Sequence, residues 1–140
     1  MKNIHKLAAI DIGSNAVRLL ITSIRINKSE TKFKKISLVR VPLRLGEDVF
    51  SKGKISDKKL KKLQKTLKAF KILMQMHEVY MFKTVATSAM REAKNSTKII
   101  EDIFKKLNIK IDLISGKKEA LMIANVFLNS MENLANNYLY

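Results

Sequence analysis

The order of the apolar, strand-like runs constrains the fold of this chain more than any other feature of its sequence. Three such runs come first, at about residues 7–11, 17–26 and 32–45, with only short polar turns between them. Segments this close in sequence pair most easily as a meander, so we predict three antiparallel strands. Pro42 predicts a bulge or break near the end of the third strand, since proline donates no backbone hydrogen bond.

Helical segments separate the later strands. The apolar positions of the first helix recur at helical spacing after an N-cap at Ser56 and comprise Leu60, Leu63, Leu67, Phe70 and Leu73 or Met74. We predict a loop at 46–53, strands at 79–86 and 109–114, and a last helix over about 117–131. Between the two strands we predict a helix whose N-cap is Ser96. Its core face comprises Ile99, Ile100, Ile103, Phe104 and Leu107. This alternation favours parallel strands with right-handed crossovers. The order βββαβαβα is the ribonuclease-H-like arrangement, an α/β fold with a mixed sheet, and we predict a single domain over residues 1–140.

Composition narrows the class of protein. The chain has 140 residues, the size of one ordinary domain, and a formal net charge of +16. It has no cysteine, which excludes a disulfide framework and a thiolate zinc site. Its apolar runs are shorter than the roughly 20 residues of a membrane span, and its first residues do not form a signal peptide. We therefore expect a cytoplasmic protein with no membrane partner.

Much of the positive charge lies on one predicted helix, where lysines occupy positions 58, 59, 61, 62, 65, 68 and 71. Such an excess favours polyanionic partners. No aromatic residue interleaves with these lysines as a stacking platform for bases would. A solvated lysine face is the simpler interpretation, and nucleic acid is not expected as a partner, although a basic nucleic-acid-binding module stays open as an alternative.

The first of three polar segments at predicted strand ends is Asp11-Ile-Gly-Ser-Asn-Ala-Val-Arg18. Asp11 ends a strand, and Gly13 permits a tight turn. Backbone N–H groups and the Ser14 and Asn15 side chains can then face an anion, and an aspartate beside such a turn can hold a hydrated Mg²⁺ on a phosphate. A plain hairpin turn is the alternative.

Arg91 marks the second segment, just past the predicted strand that ends at Ala86. Open α/β sheets bind ligands at this end of their strands, and arginine suits bidentate contact with phosphate. A surface arginine paired with Glu92 or Glu47 is the alternative.

Glu119 marks the third segment, in the first turn of the last predicted helix. Its charge would favour that helix N-terminus without any catalytic role, which is the alternative interpretation. The functional hypothesis is geometric: the three segments converge on one pocket that binds an anion.

Together the segments closely resemble successive signatures of the exopolyphosphatase and guanosine pentaphosphate phosphohydrolase (Ppx/GppA) family. The matching residues are Asp11-Ile-Gly-Ser-Asn-Ala-Val-Arg-Leu19, Ala86-Thr-Ser-Ala-Met-Arg-Glu-Ala93 and Ile114-Ser-Gly-Lys-Lys-Glu-Ala120, with Arg44-Leu-Gly-Glu47 and Gly53-Lys-Ile-Ser56 between the first and the second. Their order and spacing match over nearly the whole chain. The resemblance implies one lobe of the actin-like ATPase superfamily fold, in which two ribonuclease-H-like domains surround a cleft.

The resemblance also implies an activity and roles for particular residues. Family members release terminal phosphate from inorganic polyphosphate or guanosine pentaphosphate, usually with Mg²⁺. Phosphate would be bound by Gly13, Ser14, Asn15, Arg18 and Ser88. Asp11 would bind the metal, Arg91 would hold phosphate oxygens, and Glu119 would orient or deprotonate the attacking water. Ala16, Lys118 and Leu121 depart from the residues most common in the family.

The last residues, Asn137-Tyr-Leu-Tyr140, have the pattern of a strand that is beginning. The family's second phosphate loop, an aspartate followed by glycines and Ser/Thr, would come directly after such a strand. We therefore expect the amino-terminal lobe of a truncated two-lobed enzyme, inactive alone and homodimeric in its full-length parent. Three alternatives stay open: a kinase or ATPase lobe of the same superfamily, a nucleic-acid-binding module, and a regulatory domain without catalysis.

Overall fold

The computed structural model describes residues 3–115, which form one mixed sheet and four helices. The elements are β1 (Asn3–Ile12), β2 (Val17–Ile26), β3 (Thr31–Val41), α1 (Leu45–Lys52), α2 (Asp57–Met76), β4 (Met81–Ala86), α3 (Ser88–Glu92), α4 (Ser96–Leu107) and β5 (Ile111–Leu113). The strand order is β3-β2-β1-β4-β5. β2 pairs with β1 and β3 antiparallel, whereas β4 pairs with β1 and β5 parallel. The predicted ribonuclease-H-like order is therefore present as far as β5, and the predicted last helix lies outside the described residues.

One face of the sheet carries the main core. Alternate residues of β1 point to the same face, and Ala8, Ile10 and Ile12 are all buried there. The predicted apolar stripe of α2 packs against them, with Leu63, Leu67, Phe70 and Met74 buried. α4 adds Ile99 and Ile103, while Phe104, predicted to face the core, is 52% exposed. Burying each large apolar side chain stabilises the fold by about 1.5–3 kcal/mol, so this helix-covered face holds the sheet in place.

The opposite face carries a smaller apolar cluster. Leu7, Ile24 and Ile26 are buried there, with Ala9 and Met81 packed against them. These positions alternate with the main-core positions along β1 and β2, as the two-residue period of a strand requires. Both faces of the sheet are therefore apolar at its centre, which is usual for strands in a layered α/β domain.

Two short helices correct the sequence prediction. The sequence predicts a loop at residues 46–53, but helix α1 covers Leu45–Lys52, because Leu45 and Val49 are buried on one side of a short helix. Glu47 and Asp48 in the first turn, and Gly53 in the left-handed conformation at the C-cap, are the usual signals of such a helix. α3 follows β4 directly and places Arg91 on a helical turn.

Two local predictions also differ in position. Ser96 was predicted to cap α4, but the helix begins at Ser96 and Asn95 occupies the N-cap position. The Asn95 side chain makes no capping hydrogen bond. It forms two hydrogen bonds with the backbone of Ile55 instead, at 3.1 and 2.9 Å. β3 ends at Val41, directly before Pro42, but its irregularity lies further back: the register with β2 shifts between Ile21 and Thr22. The predicted cap at Ser56 is confirmed, since its hydroxyl accepts a hydrogen bond from the Lys59 N–H at 3.3 Å.

The outer strand of the sheet is β3, and it is rich in lysine. Lys32, Lys34 and Lys35 are exposed along it, next to the register shift. At the other side of the described sheet, β5 is only three residues long. No helix within residues 3–115 has the length and apolar character needed to cross a membrane.

Candidate active site

The carboxyl ends of β1, β4 and β5 meet at one edge of the sheet because these three strands are parallel. Backbone hydrogen bonds continue past the strand ends: the Thr87 N–H donates to the Ile12 carbonyl at 3.2 Å, and the Ile114 N–H donates to the Ala86 carbonyl at 3.0 Å. The starts of all three polar segments therefore lie side by side. This edge is where ligands bind in open α/β sheets.

The loop after β1 is a tight turn that leaves backbone donors available. The Gly13 N–H donates to the Ala16 carbonyl at 3.0 Å, and a Cβ on Gly13 would lie only 3.0 Å from that oxygen. A side chain at this position would therefore require the Ala16 carbonyl to shift by a few tenths of an ångström, which favours glycine. Among residues 3–115, no backbone carbonyl accepts a hydrogen bond from the N–H of Ser14 or Asn15. Two successive N–H groups of this kind suit an anion.

Helix α1 fixes the direction of this loop. The Arg44 N–H donates to the Asn15 carbonyl, and the Gly46 N–H donates to the Ser14 carbonyl, both at 2.9 Å. The C=O and N–H of one trans peptide point in opposite directions. Because the Ser14 carbonyl points toward α1, the N–H of Asn15 in the same peptide points away from it. The elbow between β3 and α1 thus orients a donor of the loop.

Arg44 makes this elbow in a left-handed conformation, with φ 54°. The Lys59 ammonium donates to the Arg44 carbonyl at 2.6 Å and lies 3.1 Å from Asp48 Oδ1. Asp48 Oδ2 in turn accepts a hydrogen bond from the Ser56 N–H at 2.9 Å. Hydrogen bonds from the Ser56 hydroxyl and N–H, with the Lys59 ammonium, lower the pKa of Asp48 to about 2. The carboxylate is ionised at neutral pH and joins α1 to α2.

The first and second segments are joined by their side chains. Ser14 Oγ and Ser88 Oγ lie 2.7 Å apart and share one hydrogen bond. Both residues are half-buried. The two hydroxyls can turn toward a ligand, since each has both a donor and acceptor lone pairs. The family resemblance predicts that Ser88 binds phosphate, and this contact places its hydroxyl beside that of Ser14.

Asp11 lies next to the last residue of β1, opposite Arg18 of β2 in the strand register. Its position in the alternation puts it on the face that carries Leu7 and Ala9. The pKa of Asp11 lies above its ordinary value because the carboxyl is partly buried. The positive charge of Arg18 opposes this increase but is the smaller effect. No group of three or more His, Cys, Asp or Glu side chains suited to a metal ion occurs within residues 3–115. The predicted metal-binding role of Asp11 would therefore depend on this one carboxylate and not on a cluster of described side chains.

Arg91 connects the second segment to the third. Its Nη1 donates to the Ile114 carbonyl at 3.1 Å, and its Nε lies 3.6 Å from Glu92 Oε1. The predicted alternative pairing with Glu92 is therefore present, whereas Glu47 pairs with Arg44 and Lys59 instead. These contacts tether the guanidinium at the strand-end edge.

Glu119 lies outside the described residues, as do Lys118 and Leu121. The third segment can be followed only through Ile114 and Ser115, which bring it to the same edge. The first two segments and the start of the third therefore lie at one edge of the sheet, while the convergence of Asp11, Arg91 and Glu119 on one anion-binding pocket stays a prediction.

Sequence reasoning missed the residues that support the loop from behind. Gly46, Asp48 and Lys59 act through the backbone of Arg44 and of the loop. A usable signal was present in the acidic first turn and closing glycine of α1, which predict a helix there. The hydrogen bonds between that helix and the loop have no signal in the sequence, because the partners lie about thirty residues apart.

Comparison with known proteins gives consistent results. A model of the Ppx/GppA phosphatase family matches residues 24–138. The bifunctional 3-dehydroquinate synthase/phosphatase of Fusobacterium nucleatum is 33% identical over 122 residues, which cover 85% of this chain and 18% of that protein. Exopolyphosphatase 1 of Mycobacterium tuberculosis is 29% identical over 115 residues, covering 82% of this chain and 33% of that protein.

Solved structures agree with the sequence matches. A Ppx/GppA family member from Aquifex aeolicus superposes with a TM-score of 0.75 at 29% identity, covering 83% of this chain and 37% of that one. An exopolyphosphatase from Cytophaga hutchinsonii gives a TM-score of 0.74 at 30% identity, covering 83% and 36%. Ppx/GppA structures have the actin-like ATPase fold, so the predicted fold class is confirmed. The chain spans about a third of the length of these two structures.

Proposed function

Because this chain belongs to the Ppx/GppA phosphatase family, we propose that it supplies one wall of a site that hydrolyses a terminal phosphoanhydride. The substrate class is inorganic polyphosphate or guanosine pentaphosphate. Membership of a phosphatase family favours hydrolysis over the kinase or ATPase alternative of the same superfamily. The resemblance that the sequence indicated is confirmed at the level of the family.

One observation supports the proposal above all others. The N–H groups of Ser14 and Asn15 lie at the edge where three parallel strands end, with no backbone acceptor within residues 3–115. The Ser88 hydroxyl lies 2.7 Å from the Ser14 hydroxyl at the same edge. Donors held in this way bind phosphate oxygens without having to reorganise. Arg18, which lies opposite Asp11 in the strand register, would add positive charge near this edge.

The proposed reaction is in-line attack of water on the terminal phosphorus. Phosphoryl transfer depends mostly on positioning and on neutralising charge, so a small set of side chains is sufficient. Glu119 would orient or deprotonate the water, and Arg91 would bind the oxygens of the transferred group. The bond from phosphorus to the bridging oxygen breaks as the bond to water forms.

Asp11 would hold Mg²⁺ in this proposal. A single carboxylate fits this ion, since Mg²⁺ keeps several waters and is bound through one or two carboxylates and substrate phosphates. When bound, the metal would neutralise phosphate charge. A half-buried carboxylate with a raised pKa gains most from a nearby cation, which favours its ionised form.

The isolated chain of 140 residues is proposed to be inactive. It supplies one wall of the cleft, and a transferring phosphoryl group must be held from more than one side. The other wall would belong to a second lobe, in a cytoplasmic enzyme whose full-length form is a homodimer. This part of the proposal concerns the whole enzyme. The exopolyphosphatases that this chain resembles are about three times as long as the part that it matches.

The proposal is tested by titrating the ¹⁵N-labelled chain with sodium tripolyphosphate, with and without Mg²⁺, and following amide shifts. We expect the largest shifts at Ser14 and Asn15, and a loss of affinity of at least tenfold in Ser14→Ala. Ser51→Ala is the matched control, because the Ser51 hydroxyl bonds within its own helix, to the Glu47 carbonyl at 2.6 Å. If shifts spread over the lysine-rich helices and spare the loop, the proposed site is wrong.

Catalysis is tested separately by phosphate release from polyphosphate. Turnover by residues 1–140 alone would contradict the proposed inactivity. In a full-length parent, Glu119→Gln is expected to reduce the rate by at least a hundredfold, and an unchanged rate would exclude the proposed role of this residue.

A further inference from the structure

Gly46 lies in the first turn of α1, where the backbone itself does not require glycine. The positive φ that favours glycine occurs at Gly53, after the end of the same helix, whereas Gly46 adopts an ordinary helical conformation. Alanine is a better helix former than glycine at such a position. The reason for a glycine at residue 46 therefore lies in the atoms that surround it.

The space that a side chain of residue 46 would fill is occupied from two sides. A Cβ there would lie 3.1 Å from Ser14 Cβ and 3.0 Å from Phe50 Cε2. Both distances are shorter than ordinary van der Waals contact, and Gly46 itself is buried. A methyl group at this position would push on the loop after β1 on one side and on an aromatic ring on the other.

The two neighbours differ in how easily they can move. The Phe50 side chain is 68% exposed, so its ring can turn toward solvent. Ser14 Cβ is bonded directly to the backbone of a tight turn, which the hydrogen bond from the Gly13 N–H to the Ala16 carbonyl closes at 3.0 Å. The Gly46 N–H also donates to the Ser14 carbonyl at 2.9 Å. A methyl group at residue 46 would therefore displace Ser14 by a few tenths of an ångström.

Such a displacement would reach the candidate site through Ser14. Its Oγ lies 2.7 Å from Ser88 Oγ. Its carbonyl belongs to the same peptide as the Asn15 N–H, which donates to no backbone carbonyl within residues 3–115. Hydrogen-bond donors that are held in place for a ligand lose much of their effect when they are misplaced. The missing side chain at residue 46 thus affects the position of a hydroxyl and of a backbone N–H together.

We propose that Gly46 is a positioning residue, whose missing side chain lets α1 approach the loop closely enough to hold the donors of Ser14 and Asn15 where a phosphate group binds. This inference rests on the proposed function and deepens it, because it assigns the geometry of the loop to a residue that touches no ligand. Gly46 acts through Ser14, and Phe50 only fills the remaining space.

Room for the ring of Phe50 alone is the competing explanation of this glycine. In that case a methyl group at residue 46 would disturb the packing of α1 and leave the Ser14 side chain where it is. A double-mutant cycle distinguishes the two explanations, because two substitutions couple when their residues share a contact and add when they do not.

The experiment titrates the ¹⁵N-labelled whole chain with sodium tripolyphosphate and follows amide shifts. Gly46→Ala is introduced into three backgrounds: the wild type, Ser14→Gly, which removes the Cβ that the methyl group would meet, and Phe50→Leu, which removes the ring. Gly53→Ala is the matched control, since a Cβ there meets only ordinary contacts, at 3.4 Å or more from the Lys94 side chain. Urea unfolding of every variant measures stability.

We expect Gly46→Ala to weaken tripolyphosphate binding about fivefold in the wild type and in Phe50→Leu, but less than about twofold in Ser14→Gly. Any fall in the urea midpoint should disappear in the same background. Equal losses in all three backgrounds would indicate a general effect on α1, and a loss that disappears only in Phe50→Leu would assign the glycine to the ring. Either result overturns the proposal, as does unchanged affinity in Gly46→Ala.

Spectra recorded without an anion separate this inference from the proposed function. Gly46→Ala should move the amide signals of Asn15 and Ser88, and it should leave both in place in the Ser14→Gly background. Signals that stay in place in Gly46→Ala itself would contradict the displacement whether or not an anion binds. A wild-type loop that does not respond to tripolyphosphate contradicts the proposed function, whereas equal responses in wild type and Gly46→Ala contradict only the role of Gly46.

Discussion

The loop at Ser14 and the exposed lysine face of α2 (positions 58, 61, 62, 65 and 68) both present positive potential to solvent, but they do so by different physical means. The loop uses backbone donors that hydrogen bonds from α1 hold in one direction. The lysine face uses long, exposed side chains, none of which forms an ion pair with a described carboxylate. Fixed donors recognise the geometry of one phosphate, whereas mobile ammonium groups respond to charge density along a chain.

This difference has a measurable consequence. Contacts made by fixed N–H groups in a partly enclosed loop are screened weakly by salt, while contacts of exposed lysines are screened strongly. A single protein of net charge +16 can therefore contain one region whose contacts with an anion tolerate salt and another whose contacts do not. The predictions below change one region at a time.

The largest effect is expected for Gly13→Val, which should abolish the loop site and leave the lysine face of α2 unchanged. Any Cβ at this position would lie 3.0 Å from the Ala16 carbonyl, which is backbone and cannot move aside easily. We expect a loss of about 2–3 kcal/mol in the free energy of unfolding and no amide shifts at Ser14 with tripolyphosphate. Urea unfolding measures the free energy of unfolding, and the NMR titration measures the amide shifts.

Gly53→Ala is the control for that substitution. Gly53 has φ 77°, so alanine there should cost about 1 kcal/mol through backbone strain, with ordinary contacts around the new methyl group. The tripolyphosphate response should be unchanged. Loss of the response in both variants would show that it reports stability rather than the loop.

A smaller effect is expected for Asp48→Asn, which weakens the contacts between α1 and α2 that hold the elbow at Arg44 and, through it, the loop. The substitution weakens the hydrogen bond from the Ser56 N–H and the ion pair with Lys59, so we expect about 1–2 kcal/mol of destabilisation at pH 7. The pKa of Asp48 is lowered to about 2, and its contribution is therefore present above the unfolded value near 3.8. It is lost as the pH falls through about 2.

The difference in stability between wild type and Asp48→Asn should thus shrink steadily from pH 5 to pH 2 in urea unfolding. Asp57→Asn is the comparison, since Asp57 lies in the first turn of the same helix and affects it mainly through the helix dipole, worth about 0.5 kcal/mol. A difference for Asp48→Asn that does not change with pH would contradict the assigned role of the carboxylate.

The smallest effect is expected in the core that both regions share. Thr84 is 1% exposed, and its hydroxyl has no hydrogen-bond partner within the described structure. Thr84→Val should raise the free energy of unfolding by about 1 kcal/mol, because an unsatisfied buried hydroxyl is removed. The tripolyphosphate response should not change.

Thr66→Val is the matched control for Thr84. Thr66 is also buried, but its hydroxyl donates to the Lys62 carbonyl at 2.8 Å, so valine there should give no gain. Equal stabilisation by both substitutions, measured by thermal unfolding, would point to a general preference for valine.

The sequence was sufficient wherever one local pattern decided the structure. The stripe of α2 and the cap at Ser56 follow from spacing and from the hydrogen bonds a helix end needs, and both are present. α1 was missed because Gly46 lies in its first turn and glycine is a poor helix former. Burial of Leu45 and Val49 outweighs that cost.

The site shows the same division between local and distant information. The strand ends at Ile12 and Ala86 could be predicted to meet, because parallel strands share an edge. The hydrogen bonds between the Asn95 side chain and the backbone of Ile55 could not be predicted. Nothing in the local sequence distinguishes an asparagine that binds a distant backbone from one that caps a helix. The 2.7 Å contact between Ser14 and Ser88 is likewise a product of the fold.

The lysines of β3 determine how this domain can associate with other chains. An outer strand offers free backbone groups to any extended peptide, and charged side chains with a bulge are the usual protection against such pairing. Lys32, Lys34 and Lys35 supply the charge and the shift near Ile21 supplies the distortion. Partners of this domain should therefore dock on helices or loops, and cross-strand aggregation through β3 should appear only when those lysines are replaced by apolar residues.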